Sequence, residues 1–298
     1  MLLRRNVFLH FRYKGQMADI EFTKMQGAGN DYIYVNAMQF YLPSPHLLAK
    51  QWSDRHTGIG ADGLVLIEHS NKADFRMRIF NCDGSEGEMC GNALRCVGKY
   101  LHDKGICPQL EMQIETLAGI KTIWLHPDKD NKIGSATIDM GEPVLKNSSQ
   151  CISDLETPYK SVHTSGKCYN GIFVSMGNPH FVIFTEDCTQ VGLNIEGPIL
   201  EHASIFPQRC NIEFATIISP DQIKARVWER GTGITKACGS GACAVAVAAI
   251  LKGLCNRKVK IEMEGGMLEA EWCEKTNHLL LSGPATTVYE GKIKDDRQ

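Results

Sequence analysis

Two stretches of this chain, 148 residues apart, carry the same signature. Adding 148 to Asn30, Cys90 and Gly91 lands on Asn178, Cys238 and Gly239, and each asparagine follows a glycine, Gly29 or Gly177. Asn81 and Glu229 keep the same offset, so each half sets a polar side chain nine residues before its cysteine. A constant offset of this length reads as an internal duplication. It constrains the chain to fold as two similar halves, each with one cysteine at the start of a helix. With 298 residues the chain can bury one large core or two of ordinary size.

Strand-like segments dominate both halves. The first holds Ile20 to Met25, Tyr32 to Asn36, Gly63 to Glu68, Phe75 to Asn81, Glu111 to Glu115, Lys121 to Leu125 and Ser135 to Met140. The second holds Gly171 to Ser175, His180 to Thr185, Ile212 to Ile217, Ile223 to Glu229, Lys258 to Glu264, Met267 to Cys273 and His278 to Ser282. The run Lys258 to Glu264 alternates with period 2, as a half-buried strand does. Helices are few. Pro45 to Ser53 reads as a surface helix. Gly91 to Lys104 places Leu94, Val97 and Leu101 at helical spacing and stops at Gly105. Gly239 to Lys252 is almost wholly Ala, Val and Cys, and a helix apolar all round is a buried one. Its small side chains let strands approach from several directions, which predicts a helix wrapped by a curved sheet. The boundary between halves falls near Ser135 to Gly141, and Asn147 to Thr157 reads as a polar loop.

The bulk numbers exclude several functions. A formal charge of −2 supplies no electrostatic footprint for nucleic acid. No run reaches the roughly 20 apolar residues of a membrane span. Arg4-Arg5 before Val7-Phe8-Leu9 resembles the start of an export signal, but His10, Arg12 and Lys14 interrupt it. Residues 1–18 are therefore expected to be a flexible leader or a mis-set start, with Met17 as an internal alternative. Without an export signal, twelve cysteines imply a reducing cytoplasm in which most are small buried hydrophobes. Cys90 and Cys96 are five residues apart in the chain between them, Cys238 and Cys243 four, and neither spacing is that of a zinc knuckle. No metal is expected.

The paired cysteines carry the chemistry. A thiol at a helix N-terminus feels the positive end of the dipole and free N–H groups, which favour thiolate. Gly91, Gly239 and Gly241 let the backbone approach a ligand, and exposed N–H groups at a helix start bind anions. Two such starts can grip one carboxylate from both sides, with its α-carbon between Cys90 and Cys238. That arrangement suits racemisation. One sulfur removes the α-proton, the other returns a proton to the opposite face, and the helix-start donors stabilise the charge that develops. No cofactor is required if those donors suffice.

The motifs resemble those of the diaminopimelate epimerase family from Phe22 to about Gly291. They are Met25-Gln26-Gly27-Ala28-Gly29-Asn30-Asp31, Arg55-His56-Thr57-Gly58-Ile59-Gly60-Ala61-Asp62, Phe80-Asn81 with Asp83-Gly84-Ser85-Glu86, and Met89-Cys90-Gly91-Asn92 with Arg95-Cys96. Met176-Gly177-Asn178-Pro179-His180, Phe206-Pro207 with Arg209 and Asn211, and Glu229-Arg230-Gly231 with Ala237-Cys238-Gly239-Ser240-Gly241-Ala242-Cys243 complete them. The resemblance implies an α+β fold of two pseudo-symmetric halves, each a strand-rich barrel-like sheet around a central helix, with the site in the cleft between. It implies an N-terminal half over 19–137 completed by 283–292, a C-terminal half over 138–282 and a charged tail over 293–298. It further implies a cofactor-independent epimerase converting LL-2,6-diaminoheptanedioate to the meso form, cytoplasmic and homodimeric, with a small diamino-dicarboxylate as its partner. By this resemblance Cys90 and Cys238 are acid and base, and His180 and Glu229 tune them. Gly91, Asn92, Gly239 and Ser240 hold the reacting carboxylate; Asn30, Asn81, Asn178, Asn211, Glu229 and Arg230 bind the rest.

Physical chemistry agrees with these roles. Arg230 is the forked donor suited to a distal carboxylate, and Glu229 can accept from an ammonium. Four positions depart from the family pattern. Ala93-Leu94 replaces a common Gly-Ala or Gly-Ile, Gly63 stands where some relatives carry a substrate-touching glutamine, and Ile234 replaces a glutamate. The alternatives are a proline or hydroxyproline racemase of the same fold, a thiol redox sensor, and a non-catalytic binder of amino-dicarboxylates. A cyclic monocarboxylate leaves Arg230 unexplained, and the redox reading lacks a C-x-x-C pair.

Overall fold

The computed structural model describes residues 19–152, 157–164 and 166–294. The expected leader over 1–18 and residues 295–298 of the expected tail lie outside the described residues.

Strand alternation builds the sheet. In β1 (Ile20–Gly27), β2 (Asn30–Asn36), β3 (Gly63–Glu68) and β4 (Phe75–Asn81) successive side chains point to opposite faces, and both faces are largely apolar. Tyr32, Tyr34, Val65, Ile67, Met77 and Ile79 point inward and pack with Leu94, Val97 and Leu101 of α2 (Gly91–Asp103). Ile33, Val35, Leu64, Leu66 and Phe80 point outward, against Ala49 and Trp52 of α1 (Pro45–Ser53). The sheet continues through β5 (Glu86–Gly87), β6 (Glu111–Thr116), β7 (Gly119–Pro127) and β8 (Ile133–Gly141). Leu94, Val97 and Leu101 have no exposed surface, and burying each contributes about 1.5–3 kcal/mol.

The second half repeats this plan. Its elements are β9 (Tyr159–Thr164), β10 (Lys167–Ser175), β11 (Pro179–Phe184), α3 (Leu193–Glu201), β12 (Asn211–Ser219), β13 (Gln222–Glu229) and β14 (Gly233–Thr235), then α4 (Gly239–Leu251), β15 (Lys258–Met263), β16 (Gly266–Trp272) and β17 (Leu279–Pro284). A last strand, β18 (Thr286–Ile293), returns to the first half. Pairing senses match element by element: β2–β3 and β11–β12 are parallel, as are β4–β6 and β13–β15, while β3–β4 and β12–β13 are antiparallel. The register matches too. Tyr32 lies opposite Gly63, and His180 lies opposite Asn211.

The halves share their sheet. β17 pairs with β16 on one side and with β8 on the other, and β18 pairs with β1 as β9 pairs with β10. The chain therefore crosses between halves twice, at β8 and at β17.

The two core helices have one geometry. Each spans 13 residues, with Cys90 (φ −132, ψ 115) and Cys238 (φ −129, ψ 116) as their N-caps. Each ends at a glycine with φ of 68°, Gly105 or Gly253, the left-handed conformation that glycine adopts without a Cβ penalty. Sheet and helix thus enclose each other as the all-apolar pattern of α4 predicts.

Besides the short β5 and β14 and a 3-10 turn at Cys188–Gln190, three longer elements were not expected. α3 is the duplicate of α1, but Gly197 and Pro198 break its sequence pattern. β18 is a largely exposed edge strand, and the buried face of β9 holds Lys160 beside Val162, so neither shows an alternation of apolar residue types. Ile293 was assigned to the charged tail; it ends β18 opposite Ile20, because its apolar side chain packs against the outer cluster around α1.

Ala246 lies on α4 with no exposed surface. Ala246→Leu is expected to lower stability by about 1–3 kcal/mol through overpacking, read as a lower urea midpoint at unchanged slope.

Candidate active site

The two helix starts meet. A Cβ placed on Gly239 would sit 4.0 Å from the Gly91 Cα and 3.9 Å from the Asn92 Oδ1. The same Cβ would press to 3.1 Å on Leu281 Cδ2, so glycine relieves crowding at this seam. Cys90 and Cys238, the caps just before them, both lie within the field of Glu229 at the end of β13. The seam is nearly sealed: Cys238 is 6% exposed and Asn92 1%.

Around each start an asparagine from the preceding turn bonds the second helical residue. Asn30 Oδ1 accepts from Asn92 Nδ2, and at the duplicate position Asn178 Nδ2 donates to Ser240 Oγ at 3.3 Å. Ser240 Oγ is 3.5 Å from Cys238 Sγ, and the Gly241 N–H donates to that sulfur at 3.4 Å. Beyond Asn178, its Oδ1 lies 3.1 Å from His180 Nε2, and His180 Nδ1 lies 2.6 Å from Glu213 Oε1. A continuous polar chain therefore runs from Cys238 through Ser240, Asn178 and His180 to Glu213.

The remaining residues named from sequence surround this seam less evenly. Glu229 accepts from Thr235 Oγ1. Arg230 Nη1 donates to the Gln208 carbonyl at 3.1 Å, and among the described residues the rest of the guanidinium fork makes no hydrogen bond or ion pair. Asn81 lies opposite Gly63 and donates to Ser85 Oγ at 3.0 Å. Asn211 is buried with its amide engaged at both ends, donating to Pro179 O at 2.8 Å and accepting from the Arg230 N–H at 2.9 Å. It ties the arginine turn to the start of β11. Gly63 admits no side chain, since a Cβ there would lie 2.1 Å from the Phe80 carbonyl oxygen. Leu94 and Ala93 are fully buried, and Ile234 is exposed.

One expectation from the sequence is corrected. The helix starts were expected to lower both thiol pKa values, yet burial pushes the Cys90 thiol up and the Cys238 thiol well up. Glu229 adds to both shifts, and Glu213 adds to that of Cys238. Desolvation of a thiolate in an apolar core outweighs the helix-start donors. Burial also holds the Glu229 carboxyl above its ordinary range.

A cavity of about 460 Å³ lined by Tyr100, Lys104, Glu290 and Lys292 lies at the far end of α2, away from the thiols. No helix among the described residues is long and apolar enough to cross a membrane.

Residues 22–146 and 172–288 match the family model described as diaminopimelate epimerase. A diaminopimelate epimerase of Phocaeicola vulgatus is 51% identical over 276 residues, covering 92% of this chain and 98% of its own. The chain belongs to the diaminopimelate epimerase family. The Bacteroides thetaiotaomicron and Methanococcus maripaludis enzymes of that name are 50% and 48% identical, each over 92% of this chain and 98% and 99% of their own. Among solved structures, a Bacillus anthracis phenazine biosynthesis protein of the PhzF family superposes with a TM-score of 0.67 at 16% identity, over 93% of this chain and 99% of that one. A hydroxyproline epimerase from Agrobacterium vitis gives 0.67 at 14% identity, over 94% and 93%. These distant likenesses show the two-domain, barrel-like fold shared by diaminopimelate epimerases, PhzF proteins and proline racemases.

In this member of the diaminopimelate epimerase family, three side chains at the site escaped the sequence reading. Tyr32, the duplicate of His180, places its hydroxyl beside Cys90. Glu201 accepts from the Gly231 N–H at 3.0 Å and from Trp228 Nε1 at 2.6 Å, clamping the turn that carries Arg230. Glu213 is the duplicate of Val65 and points inward to α4. The signal for Glu213 was present: an acid between Ile212 and Phe214 interrupts an apolar strand run.

Glu213 and His180 have no exposed surface. Glu213→Val, which copies Val65, leaves His180 without its acceptor and is expected to cost about 3–5 kcal/mol in chemical denaturation. Adding His180→Tyr, which copies Tyr32, should recover most of that loss. Wild-type stability in Glu213→Val would show that His180 does not depend on this acceptor.

Proposed function

We propose that this chain is a cofactor-independent epimerase that converts LL-2,6-diaminoheptanedioate to the meso form. The observation that carries this reading is the meeting of two cysteine-capped helix starts at one seam. The identity of about 50% to proteins named diaminopimelate epimerase supports the substrate.

In this reading the reacting carboxylate sits between the N–H groups following Cys90 and Cys238. One sulfur, as thiolate, takes the α-proton and becomes a thiol. The negative charge passes into the carboxylate and is stabilised by the helix-start donors. The other thiol gives its proton to the opposite face and becomes the thiolate, so the pair ends exchanged and no atom is lost. A buried thiolate is the stronger base for being held at high pKa, which narrows its gap to a weakly acidic α-C–H. Arg230, with most of its fork free, takes the distal carboxylate; Glu229 and the asparagines take the amines. A cyclic monocarboxylate would leave Arg230 without a partner. The family resemblance adds two finer expectations, a homodimer and a cytoplasmic location, and twelve free thiols are in keeping with a reducing compartment.

The test is α-hydrogen exchange from deuterated water into the substrate without pyridoxal phosphate. Cys90→Ala and Cys238→Ala should each lower turnover by roughly 10²–10⁴-fold or more with the fold retained by circular dichroism. Full activity in either refutes the two-thiol mechanism. Arg230→Lys should raise KM for diaminopimelate by a factor equivalent to about 1–3 kcal/mol. An unchanged KM moves the distal carboxylate elsewhere.

A further inference from the structure

One buried carboxylate holds the turn of residues 229–232 that carries Arg230. Glu201, the last residue of α3, is 3% exposed and receives three donors. Its Oε1 accepts from the Gly231 N–H at 3.0 Å and from Arg209 Nη1 at 3.2 Å, and its Oε2 accepts from Trp228 Nε1 at 2.6 Å. The adjoining N–H groups are taken as well, that of Arg230 by Asn211 Oδ1 at 2.9 Å and that of Thr232 by the Glu229 carbonyl at 3.0 Å. Three successive N–H groups of the turn are thus bonded within the protein, and the Arg230 guanidinium is left to meet a ligand.

Glu201 braces the guanidinium from its other end too. Arg230 Nη1 donates to the Gln208 carbonyl at 3.1 Å, and the next residue, Arg209, has φ of 59°, a left-handed conformation that an L residue adopts at a cost. The ion pair to Glu201 and the Arg209 N–H on the Phe206 carbonyl at 2.9 Å hold it there. The two turns touch, since a Cβ on Gly231 would lie 3.8 Å from Arg209 Nη2. The acid therefore fixes both the backbone that carries Arg230 and the loop whose carbonyl aims its fork. This apparatus occurs in one half only. Subtracting 148 from Glu201, Arg209, Trp228 and Arg230 gives Ser53, Ala61, Phe80 and Cys82, none of them a charged residue. The brace stands where the cation does.

We propose that Glu201 is a positioning residue that sets the specificity for a second carboxylate, by holding the Arg230 fork where the distal end of the substrate binds. A planar fork pairs with a carboxylate through two bonds in one orientation only, and a fork fixed in advance loses little freedom on binding. The inference rests on the assignment of Arg230 to the distal carboxylate under the proposed function. Glu201 is enclosed by its three donors and takes no part in proton transfer, so its effect falls on substrate binding and leaves the chemistry at Cys90 and Cys238 alone.

The experiment is steady-state epimerisation of LL-2,6-diaminoheptanedioate by the full chain, with kcat and KM read separately. Glu201→Gln keeps the shape but sets an N–H group against a donor, so at least one of the three bonds is lost. KM should rise about tenfold, as for one lost charge-assisted hydrogen bond, with kcat within roughly twofold of wild type. Combined with Arg230→Lys, it should raise KM no further than the larger single effect, because both changes act on one contact. If Glu201→Gln does not fold, Trp228→Phe removes the indole donor, leaves the acid in place and is expected to give the same pattern at smaller size. In the variant that folds, an unchanged KM, a loss confined to kcat, or an effect that multiplies with that of Arg230→Lys overturns the proposal and marks Glu201 as structural alone. A wild-type chain without activity on this substrate refutes the proposed function itself, and the inference with it.

Discussion

Everything at the site depends on two helices beginning at the same place. Backbone N–H groups at a helix start are unpaired by construction, and within a dry core they need an anion. Here two such starts point at one seam, close enough that a Cβ on Gly239 would touch the Gly91 backbone. The sheets around α2 and α4 hold them there, and β17, shared between the halves, fixes their relative position. A carboxylate is the ligand of matching shape and charge. In the proposed reaction the caps Cys90 and Cys238 stand on opposite sides of its α-carbon.

The duplication explains the two-sidedness of this chemistry, and its imperfections make the two thiols unequal. Helix lengths, cap dihedrals, strand senses and register recur 148 residues apart. The side chains around the thiols do not. Tyr32 and Val65 in one half stand at the positions of His180 and Glu213 in the other. A symmetric backbone brings the helix-start donors of both halves to one seam, while Glu213 acts on Cys238 and has no counterpart at Val65 in the other half. Burial raises both thiols, so a local charge, acting at low effective dielectric, carries more weight than it would at a surface.

The sequence by itself determined the duplication, the paired cysteines, the all-apolar α4 and most of the strands, because each is written in local period or fixed spacing. It also carried the site residues that sit in motifs. Tertiary structure alone decided the rest. Whether a helix-start thiol is raised or lowered depends on how dry its surroundings are, and dryness is set by Tyr32, Leu281 and the facing helix, which are distant in the chain. Asn211, expected as a ligand, also ties β11 to the Arg230 turn, a role visible only when those two elements are adjacent. β18 shows no apolar face, and only the open edge of β1 makes it a strand.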